Sequence, residues 1–271
     1  MSRREEERRQ DMRRRRRRRK KRSTAGRVIS AVIMLIALGV FVFSAFRLYD
    51  IYTGYKDGED EYDDLAEIAI SGGSGEEGED NRFRVDFDAL REINPDVVAW
   101  LRFEEPSIIN YPVVQGEDND KYLEVTFKGY ENTVGTLFVN VDNHPDFNDR
   151  NTIIYGHHMN NGTMFNTLED YQDETLWKEH PYFYIYTPDG MEHKYQIFAA
   201  GVVRDTSEAY TYQFADDASF QSFLDFSKSS SYYDTGIMPA MSDKIVTLST
   251  CTKASNSDRM IVQGVEIEVN P

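Results

Sequence analysis

One long uncharged stretch stands apart from the rest of this chain, which is built of shorter alternating patterns. Residues 28–46 include no charged side chain over 19 positions, and at about 1.5 Å of rise per residue a helix of that length spans the roughly 30 Å hydrocarbon core of a bilayer. From residue 83 onward, apolar positions alternate with polar ones over short runs between turn residues, which is typical of strands. The pattern predicts one transmembrane helix and a separate domain rich in β-structure.

The alternating runs predict the elements of that domain. Eight strands are expected at residues 97–103, 108–114, 136–141, 151–155, 183–186, 195–203, 244–249 and 260–268. Helical spacing predicts a helix at 86–93, stopped by Asn94-Pro95, short helices at 120–123 and 164–171, and a longer one at 216–228 with Phe220, Phe223, Leu224 and Ser227 on one face. Short strands at this spacing favour a mostly β fold, a barrel or sandwich, over a doubly wound sheet.

Charge sets the orientation of the predicted membrane helix. Residues 1–27 hold 15 Lys and Arg against 4 Asp and Glu, whereas the whole 271-residue chain has a net charge of −16. Basic residues before the apolar stretch and acidic residues after it place 1–27 in the cytoplasm as a disordered tail and everything after Arg47 outside. A cleaved signal peptide is the alternative, but its apolar region would be about 7–15 residues long. Nucleic-acid binding by the basic block does not suit a segment next to a membrane anchor.

An acidic, Gly- and Ser-rich segment separates the anchor from the domain. Residues 47–82 contain runs of Asp and Glu and the sequence Ser71-Gly72-Gly73-Ser74-Gly75, a composition that predicts a flexible, self-repelling tether. Residues 65–70 suggest at most a turn or two of helix. The globular domain is therefore expected at 83–271, and because the tether composition implies no packing role, we expect this domain to fold and act without the anchor.

A single cysteine is the first candidate for chemistry. Cys251 ends an apolar strand and Arg259 begins the next run, eight residues later. Outside the cell cysteines are usually paired, and one cysteine cannot form an internal disulfide. A buried, inert thiol or an intermolecular bridge are the alternatives to a nucleophile beside a cation.

A histidine after a second strand is the next candidate. Residues 151–155 end at Gly156, whose missing Cβ permits a sharp turn, and His157 and His158 follow. Histidine exchanges protons near neutral pH and can act as acid or base, although most histidines at strand ends are surface or hydrogen-bonded residues. Neighbouring cysteines and a His-x-x-x-His spacing are missing from the sequence, so no metal site is predicted. The Asp142, Asp146 and Asp149 loop has no regular calcium-loop spacing either.

These motifs together resemble the sortase family, and within it class B. The resemblance is carried by Thr247-Leu248-Ser249-Thr250-Cys251, Tyr155-Gly156-His157-His158-Met159, Asn94-Pro95-Asp96-Val97-Val98-Ala99-Trp100-Leu101 and Tyr111-Pro112-Val113-Val114-Gln115, and it covers about residues 86–268. It implies an eight-stranded sortase-like β-barrel, with the longer helix before the cysteine strand corresponding to the class B insertion. It also implies a cysteine transpeptidase on a Gram-positive cell surface.

The resemblance implies roles residue by residue. Cys251 matches the nucleophile, His157 the general acid/base and Arg259 the third catalytic residue, with no cofactor. The enzyme would cleave a Pro-x-Thr-type C-terminal sorting signal of a secreted protein through a thioester on Cys251. It would then transfer the acyl group to an amine of a peptidoglycan precursor or a pilin subunit. Candidate substrate-binding residues are Ser249, Thr250, Tyr111, Asn119, Tyr122, Thr163 and Met164, with packing as the alternative role for each.

Two other functional classes remain open from the sequence alone. An extracellular cysteine peptidase would use the same thiol and histidine but pass the acyl group to water. A membrane-tethered binding domain would keep the thiol for structural reasons only. Added amine distinguishes transfer from hydrolysis, and a Cys251→Ala variant distinguishes both from binding.

Overall fold

The computed structural model describes residues 3–71, 83–252 and 257–271, and over these residues the chain divides into two compact units, 1–53 and 54–271. The first unit is part of helix α1 (Arg3–Ala69), and residues 28–46 are exposed along it. Among the described residues, one helical stretch, Gly26–Ala69, is long and apolar enough to cross a membrane. The predicted candidate span therefore lies in a continuous helix.

The basic tail differs from its prediction. We expected residues 1–27 to be disordered, but α1 begins at Arg3. Arginine is among the better helix formers, Glu5 and Glu6 lie in the first turn where the helix dipole favours negative charge, and Arg15 forms an i,i+4 ion pair with Asp11. Local propensity thus supports a helix there, although the side chains of residues 4–18 are exposed.

The second unit is built around a closed barrel, which in the described part of the chain has eight strands. They are β3 (Val97–Phe103), β4 (Asn110–Val114), β5 (Leu137–Val139), β6 (Asn151–Tyr155), β7 (Tyr182–Tyr186), β8 (Glu192–Arg204), β9 (Ile245–Cys251) and β10 (Asp258–Asn270). Their order around the barrel is β10-β8-β7-β3-β4-β5-β6-β9, closing from β9 to β10. Each predicted strand corresponds to one of them, which confirms the barrel.

Two of the strand pairings are parallel, and one of them shapes the site. β4 pairs with β5 and β6 pairs with β9 in parallel, while the other barrel pairings are antiparallel. Parallel pairing brings the carboxyl ends of β6 and β9 to the same edge of the barrel. The turn after Tyr155 and the end of the cysteine strand are therefore neighbours.

The helices pack on this barrel at their apolar faces. α2 (Phe87–Ile93) is capped at its N-terminus by Asp86, whose side chain accepts from the backbone N–H of Ala89, and at its C-terminus by Asn94. α4 (Asp217–Ser230) opens with a capping box between Asp216 and Ser219. It buries Phe220, Phe223, Leu224 and Ser227, the face predicted from its spacing. The longer helix before the cysteine strand is confirmed.

Short helical turns fill the connections. The predicted helices at 120–123 and 164–171 are 3₁₀ helices η1 (Lys121–Leu123) and η2 (Asn166–Gln172). Two further elements, α3 (Glu174–Glu179) and η3 (Glu208–Tyr210), were not predicted. In α3 the adjacent residues Leu176 and Trp177 are half-buried against the core and the other side chains are exposed, so the helix leaves no periodic apolar signal.

Part of the predicted tether is folded, which corrects the expectation of a spacer without packing contacts. From Gly54 onward α1 belongs to the barrel unit, with Tyr62, Leu65 and Ala69 buried in its core. β1 (Ile70–Ser71) then pairs with β2 (Arg84–Val85) in a small antiparallel ribbon. The acidic composition of the segment did not reveal these three residues. They share one face of the helix, because they are spaced three and four positions apart. The Gly-rich remainder, 72–82, lies outside the described residues.

Candidate active site

Cys251 and Arg259 face each other across two strands. β9 and β10 run antiparallel, and their register places Arg259 directly opposite Cys251. Directly opposed residues project from the same face with Cβ atoms about 4.5–5.5 Å apart. The preceding residues of β9 are buried, but Cys251 at its end is exposed. The register therefore brings a reachable thiol and a guanidinium together, as the sequence predicted.

Acidic and carbonyl groups surround the guanidinium of Arg259. Nη1 donates to the backbone carbonyl of Asp258 at 3.1 Å, and Nη2 lies 3.9 Å from Oδ2 of Asp205. About a quarter of the Arg259 side chain is exposed. These contacts orient the planar group at the strand end, and its exposed part faces the cleft described below.

Gly156 turns the chain so that His157 reaches the same edge of the barrel. Its backbone N–H donates to the carbonyl of Ser249 at 3.1 Å, which continues the pairing of β6 with β9 by one residue. A Cβ atom at this position would overlap the side chains of Leu137 and Phe165. Only glycine therefore fits between the barrel and the loop, and the next residue, His157, is presented beside the cysteine strand.

A backbone carbonyl fixes the proton position on His157. Nε2 lies 2.6 Å from the carbonyl oxygen of Leu123. Since a carbonyl oxygen only accepts hydrogen bonds, Nε2 carries the hydrogen. The other ring nitrogen, Nδ1, is then the atom that can take up or release a proton.

His158 lies in a different environment. Its side chain is only 4% exposed, and Nε2 lies 3.1 Å from Oε2 of Glu169. The amide nitrogen of Asn166 lies 3.3 Å from Nδ1. The structure thus separates the two histidines that the motif left adjacent: His157 belongs to the cleft, and His158 is packed into the loop that follows.

One cleft of about 520 Å³ unites most of the predicted site residues. It contains Cys251, His157 and Arg259, and of the predicted substrate-binding residues it contains Ser249, Thr250 and Asn119. Its remaining lining residues, which were not among the predicted catalytic or substrate-binding residues, are Leu123, Phe138, Asn140, Tyr155, Gly156, Asp205, Tyr210 and Tyr212. A thiol, an imidazole and a guanidinium therefore share one concave, partly aromatic surface.

Tyrosines form the wall beside the cysteine strand. The rings of Tyr155 and Tyr210 are stacked, with centroids 6.3 Å apart, and the Tyr210 hydroxyl lies 2.7 Å from Oγ of Ser249. Burial raises the pKa of Tyr155 to about 12 and raises the pKa of Tyr210 further. Both hydroxyls therefore stay protonated at neutral pH and can donate hydrogen bonds. The cluster of tyrosines in the loop after β8 was the available signal for this wall.

The two hydroxyl residues before the cysteine are both almost fully buried. Ser249 and Thr250 are each 2% exposed. Ser249 bonds to Tyr210, whereas Oγ1 of Thr250 has no hydrogen-bond partner within the described residues. Ser249 thus contacts the tyrosine wall, whereas the described residues offer Thr250 no comparable polar contact.

Four predicted groove residues lie outside the cleft lining and pack in the core instead. The Tyr111 hydroxyl accepts from the backbone N–H of Met164 at 3.3 Å, and Met164 is fully buried. The Tyr122 hydroxyl donates to Asp96 at 2.6 Å, and Thr163 donates to Asn161 at 2.8 Å. Each of these polar atoms makes a local contact, which agrees with the packing role given as their alternative, and their part in substrate binding stays a prediction.

The acidic loop before β6 forms internal contacts. Oδ2 of Asp149 accepts from the side chain of Asn143 at 2.8 Å and from the backbone of His144 at 2.7 Å. Among the described residues, no group of three or more His, Cys, Asp or Glu side chains could hold a metal ion.

Comparison with known proteins agrees with this geometry. A family model for the sortase domain matches residues 104–267. The chain is 32% identical over 189 residues to sortase B of Staphylococcus aureus, covering 69% of this chain and 77% of the relative. It is 34% identical over 186 residues to sortase B of Listeria monocytogenes, covering 67% and 74%.

This chain belongs to the sortase family. A solved structure titled as a Staphylococcus aureus sortase B–substrate complex superposes with a TM-score of 0.63 at 33% identity, covering 67% of this chain and 84% of that one. The similarity to class B members in both sequence and structure identifies a class B sortase, a cysteine transpeptidase. The resemblance inferred from the motifs is confirmed.

Proposed function

We propose that this sortase cleaves a C-terminal sorting signal of the Pro-x-Thr type through a thioester on Cys251 and transfers the acyl group to an amine on the cell wall or on a pilin subunit. The observation that supports it best is the convergence of Cys251, His157 and Arg259 on one cleft. Each side chain supplies a different requirement of amide exchange. No cofactor is needed, because nucleophile, proton carrier and charge stabiliser all come from the protein.

The first half of the reaction forms the acyl-enzyme. The Cys251 thiol gives its proton to Nδ1 of His157, and the resulting thiolate attacks the scissile carbonyl carbon, whose oxygen becomes an oxyanion. Arg259, opposite Cys251, is placed to donate hydrogen bonds to that oxygen. The C–N bond then breaks, and the leaving amine takes a proton from Nδ1 of His157, since Nε2 is bonded to Leu123.

In the second half of the reaction, His157 accepts a proton and the thiolate of Cys251 is the leaving group. An incoming amine attacks the thioester carbonyl, and its proton passes to Nδ1 of His157. The C–S bond breaks, the thiolate of Cys251 leaves, and a new amide is formed. Atoms and charges balance without water, which makes the overall process ping-pong acyl transfer.

The cleft suits a peptide better than a small metabolite. Its volume of about 520 Å³ is open to solvent, and its wall combines Tyr155, Tyr210 and Leu123 with the amides of Asn119 and Asn140. Aromatic surfaces and amide groups bind a proline ring and peptide backbone well. The sortase B–substrate complex of Staphylococcus aureus supports a signal-bearing protein as the class of substrate.

The same proposal extends to location. We infer that residues 28–46 anchor the enzyme in the membrane, with residues 1–27 in the cytoplasm and the barrel outside. The apolar helix and the excess of basic residues before it support this orientation. A catalytic barrel on that side meets secreted proteins and wall precursors, the proposed partners.

A coupled transfer assay tests the function. The full chain in detergent is incubated with a set of Pro-x-Thr peptides, with and without triglycine, and the products are separated by mass. We expect a peptide–triglycine adduct that increases with triglycine concentration. A product formed only by hydrolysis at every triglycine concentration would instead indicate a peptidase, and adduct formation by Cys251→Ala would remove the thiol from the mechanism.

A further inference from the structure

The part of α1 that packs on the barrel, residues 54–69, contacts the segment that holds the catalytic histidine. The Tyr62 hydroxyl, buried at 4% residue exposure, donates to the carbonyl of Gly135 at 2.5 Å. It also lies 3.1 Å from Oγ1 of Thr136. Its ring packs edge-on against Tyr111, with centroids 5.4 Å apart. Tyr62 is thus bonded to the two residues that lead into β5.

Gly135, the first of these two residues, lies directly against His157 and against Leu123, which holds the imidazole. Gly135 adopts φ +60°, and a Cβ atom there would lie 2.9 Å from the carbonyl oxygen of Leu123 and 3.1 Å from Cδ2 of His157. Leu123 is the residue whose carbonyl accepts from Nε2 of His157. The backbone of Gly135 therefore sits against both partners of the hydrogen bond that orients the imidazole.

Thr136 forms two further hydrogen bonds with the segment that contains Leu123. Its backbone N–H donates to the carbonyl of Tyr122 at 2.9 Å, and its hydroxyl donates to the carbonyl of Val125 at 2.9 Å. The residues on both sides of Leu123 are therefore held by Thr136. A shift of Thr136 would move the Leu123 carbonyl relative to the ring of His157.

Further contacts along the helix reinforce this attachment. Oε1 of Glu61 accepts from the backbone N–H of Lys128 at 2.8 Å, and the side chain of Asn132 donates to the carbonyl of Gly54 at 2.9 Å. A Cβ atom on Gly58 would lie 2.8 Å from Cγ2 of Val134, so the helix approaches this segment closely. The helix contacts the loop at several points between residues 128 and 136.

We propose that Tyr62 is a positioning residue for His157, acting through Gly135, Thr136 and the Leu123 carbonyl. The helix that carries it lies before residue 104, where the family-model match begins. This inference rests on the proposed function for its kinetic consequence, but the orientation of the imidazole is a property of the folded protein and can be measured without turnover.

Tyr62→Phe tests the proposal, with Tyr171→Phe as a matched control. The Phe substitution keeps the buried ring and removes only the hydroxyl. Tyr171 is equally buried, at 1%, and its hydroxyl donates to the carbonyl of His180 at 2.9 Å. It does not line the cleft. Both variants thus lose one buried hydrogen bond to a carbonyl, but only one of these bonds leads to His157.

The first measurement is nitrogen NMR of the full chain in detergent, labelled with ¹⁵N-histidine. The five histidines are assigned by single substitutions. We expect His157 of the wild-type protein to show a protonated Nε2 at neutral pH, and Tyr62→Phe to move its two ring-nitrogen signals toward tautomer averaging. Tyr171→Phe should leave them in place. Unchanged His157 signals in Tyr62→Phe would overturn the proposal.

The second measurement is the rate of acyl-enzyme formation. We expect Tyr62→Phe to lower kcat about 10- to 100-fold with little change in KM, since small misplacements of a reacting group have effects of that size. Tyr171→Phe should keep wild-type kcat. Equal losses in the two variants would mean that Tyr62 has only a structural role.

One outcome separates this inference from the proposed function. An inactive wild-type protein with a fixed His157 tautomer that loosens in Tyr62→Phe would refute the transpeptidation proposal and keep the positioning role. If Tyr62→Phe fails to fold, Glu61→Ala replaces it, because it removes an independent contact with the same loop. That variant should move the His157 signals, and unchanged signals would count against the proposal.

Discussion

Arg259 lies directly opposite Cys251 in the register of β9 and β10. The pairing places a planar group with several N–H donors beside the atom that would be acylated. A lysine in the same place would keep the charge but lose the rigid fork of donors.

Arg259→Lys should therefore slow acylation strongly. The expected loss is about 10²–10³-fold in the acylation rate, the usual effect of removing one donor to an oxyanion, and it is measured by quenched-flow mass analysis of the acyl-enzyme. Arg204→Lys is the matched control, because Arg204 is 70% exposed and only 3.9 Å from Asp258. Near-normal acylation by Arg259→Lys would contradict the assigned role.

The two adjacent histidines should behave differently when substituted. His157→Gln should abolish detectable peptide cleavage, because it removes the proton carrier of the cleft, while its thermal midpoint stays close to wild type. His158→Gln should lower the thermal midpoint, because it disrupts the buried contact with Glu169, and should retain turnover. Rate and melting measurements on both variants check this, and loss of cleavage in a well-folded His158→Gln would reverse the assignment.

Most of the fold could be predicted from the sequence, because buried positions are occupied by apolar residues in patterns typical of strands and helices. Several barrel strands are buried on both faces and appear in the sequence as short runs between turn residues, and α4 shows its buried face in the spacing of Phe220, Phe223 and Leu224. Strand bounds were less well defined, since the strand predicted at 195–203 runs from Glu192 to Arg204. α3 was missed because its two core-facing residues, Leu176 and Trp177, are adjacent and give no helical spacing.

The site was predictable where local sequence carries the chemistry and unpredictable where the fold brings distant loops together. Cys251, His157 and Arg259 follow from motifs at strand ends. Tyr210 reaches the cleft only because the loop after β8 folds back on Tyr155, and Tyr62 reaches Gly135 across 73 positions. The packing role of Tyr62 could not be predicted from composition, because the many acidic residues around it make the segment polar on average.

The folded unit should begin near residue 54 and not at 83. A fragment comprising 83–271 lacks the buried side chains of Tyr62 and Leu65, and each large side chain that is fully buried contributes about 1.5–3 kcal/mol. Its free energy of unfolding should be lower than that of a 54–271 fragment by several kcal/mol. Urea titrations of both fragments measure this, and equal midpoints would show that the helix adds nothing to stability.

Acid should destabilise the barrel partly through Glu266. Burial alone would raise its pKa, but a hydrogen bond from His193 and the charge of Lys244 outweigh burial and hold the pKa of this carboxyl below its ordinary value of 4.5. Because the folded pKa is depressed, its contribution is fully present above pH 4.5 and is lost as the pH falls through the folded pKa.

Glu266→Gln should therefore lower stability at pH 7 and weaken its decline on acidification. Urea unfolding of wild type and variant between pH 3 and pH 7 measures the difference. Glu268→Gln, an exposed site on the same strand, is the control and should retain the wild-type pH profile. A Glu266→Gln profile parallel to that of wild type would exclude this carboxylate as a source of the acid sensitivity.

The central claim is that Cys251 is acylated by a sorting signal, and intact-protein mass spectrometry tests it most directly. The wild-type chain is incubated with a Pro-x-Thr peptide without an amine acceptor, quenched in acid and digested for peptide mapping. We predict a mass increase equal to the acyl half of the peptide, located on Cys251 and lost on addition of triglycine or in Cys251→Ala. Peptide cleavage without that adduct, or cleavage by Cys251→Ala, would contradict the account.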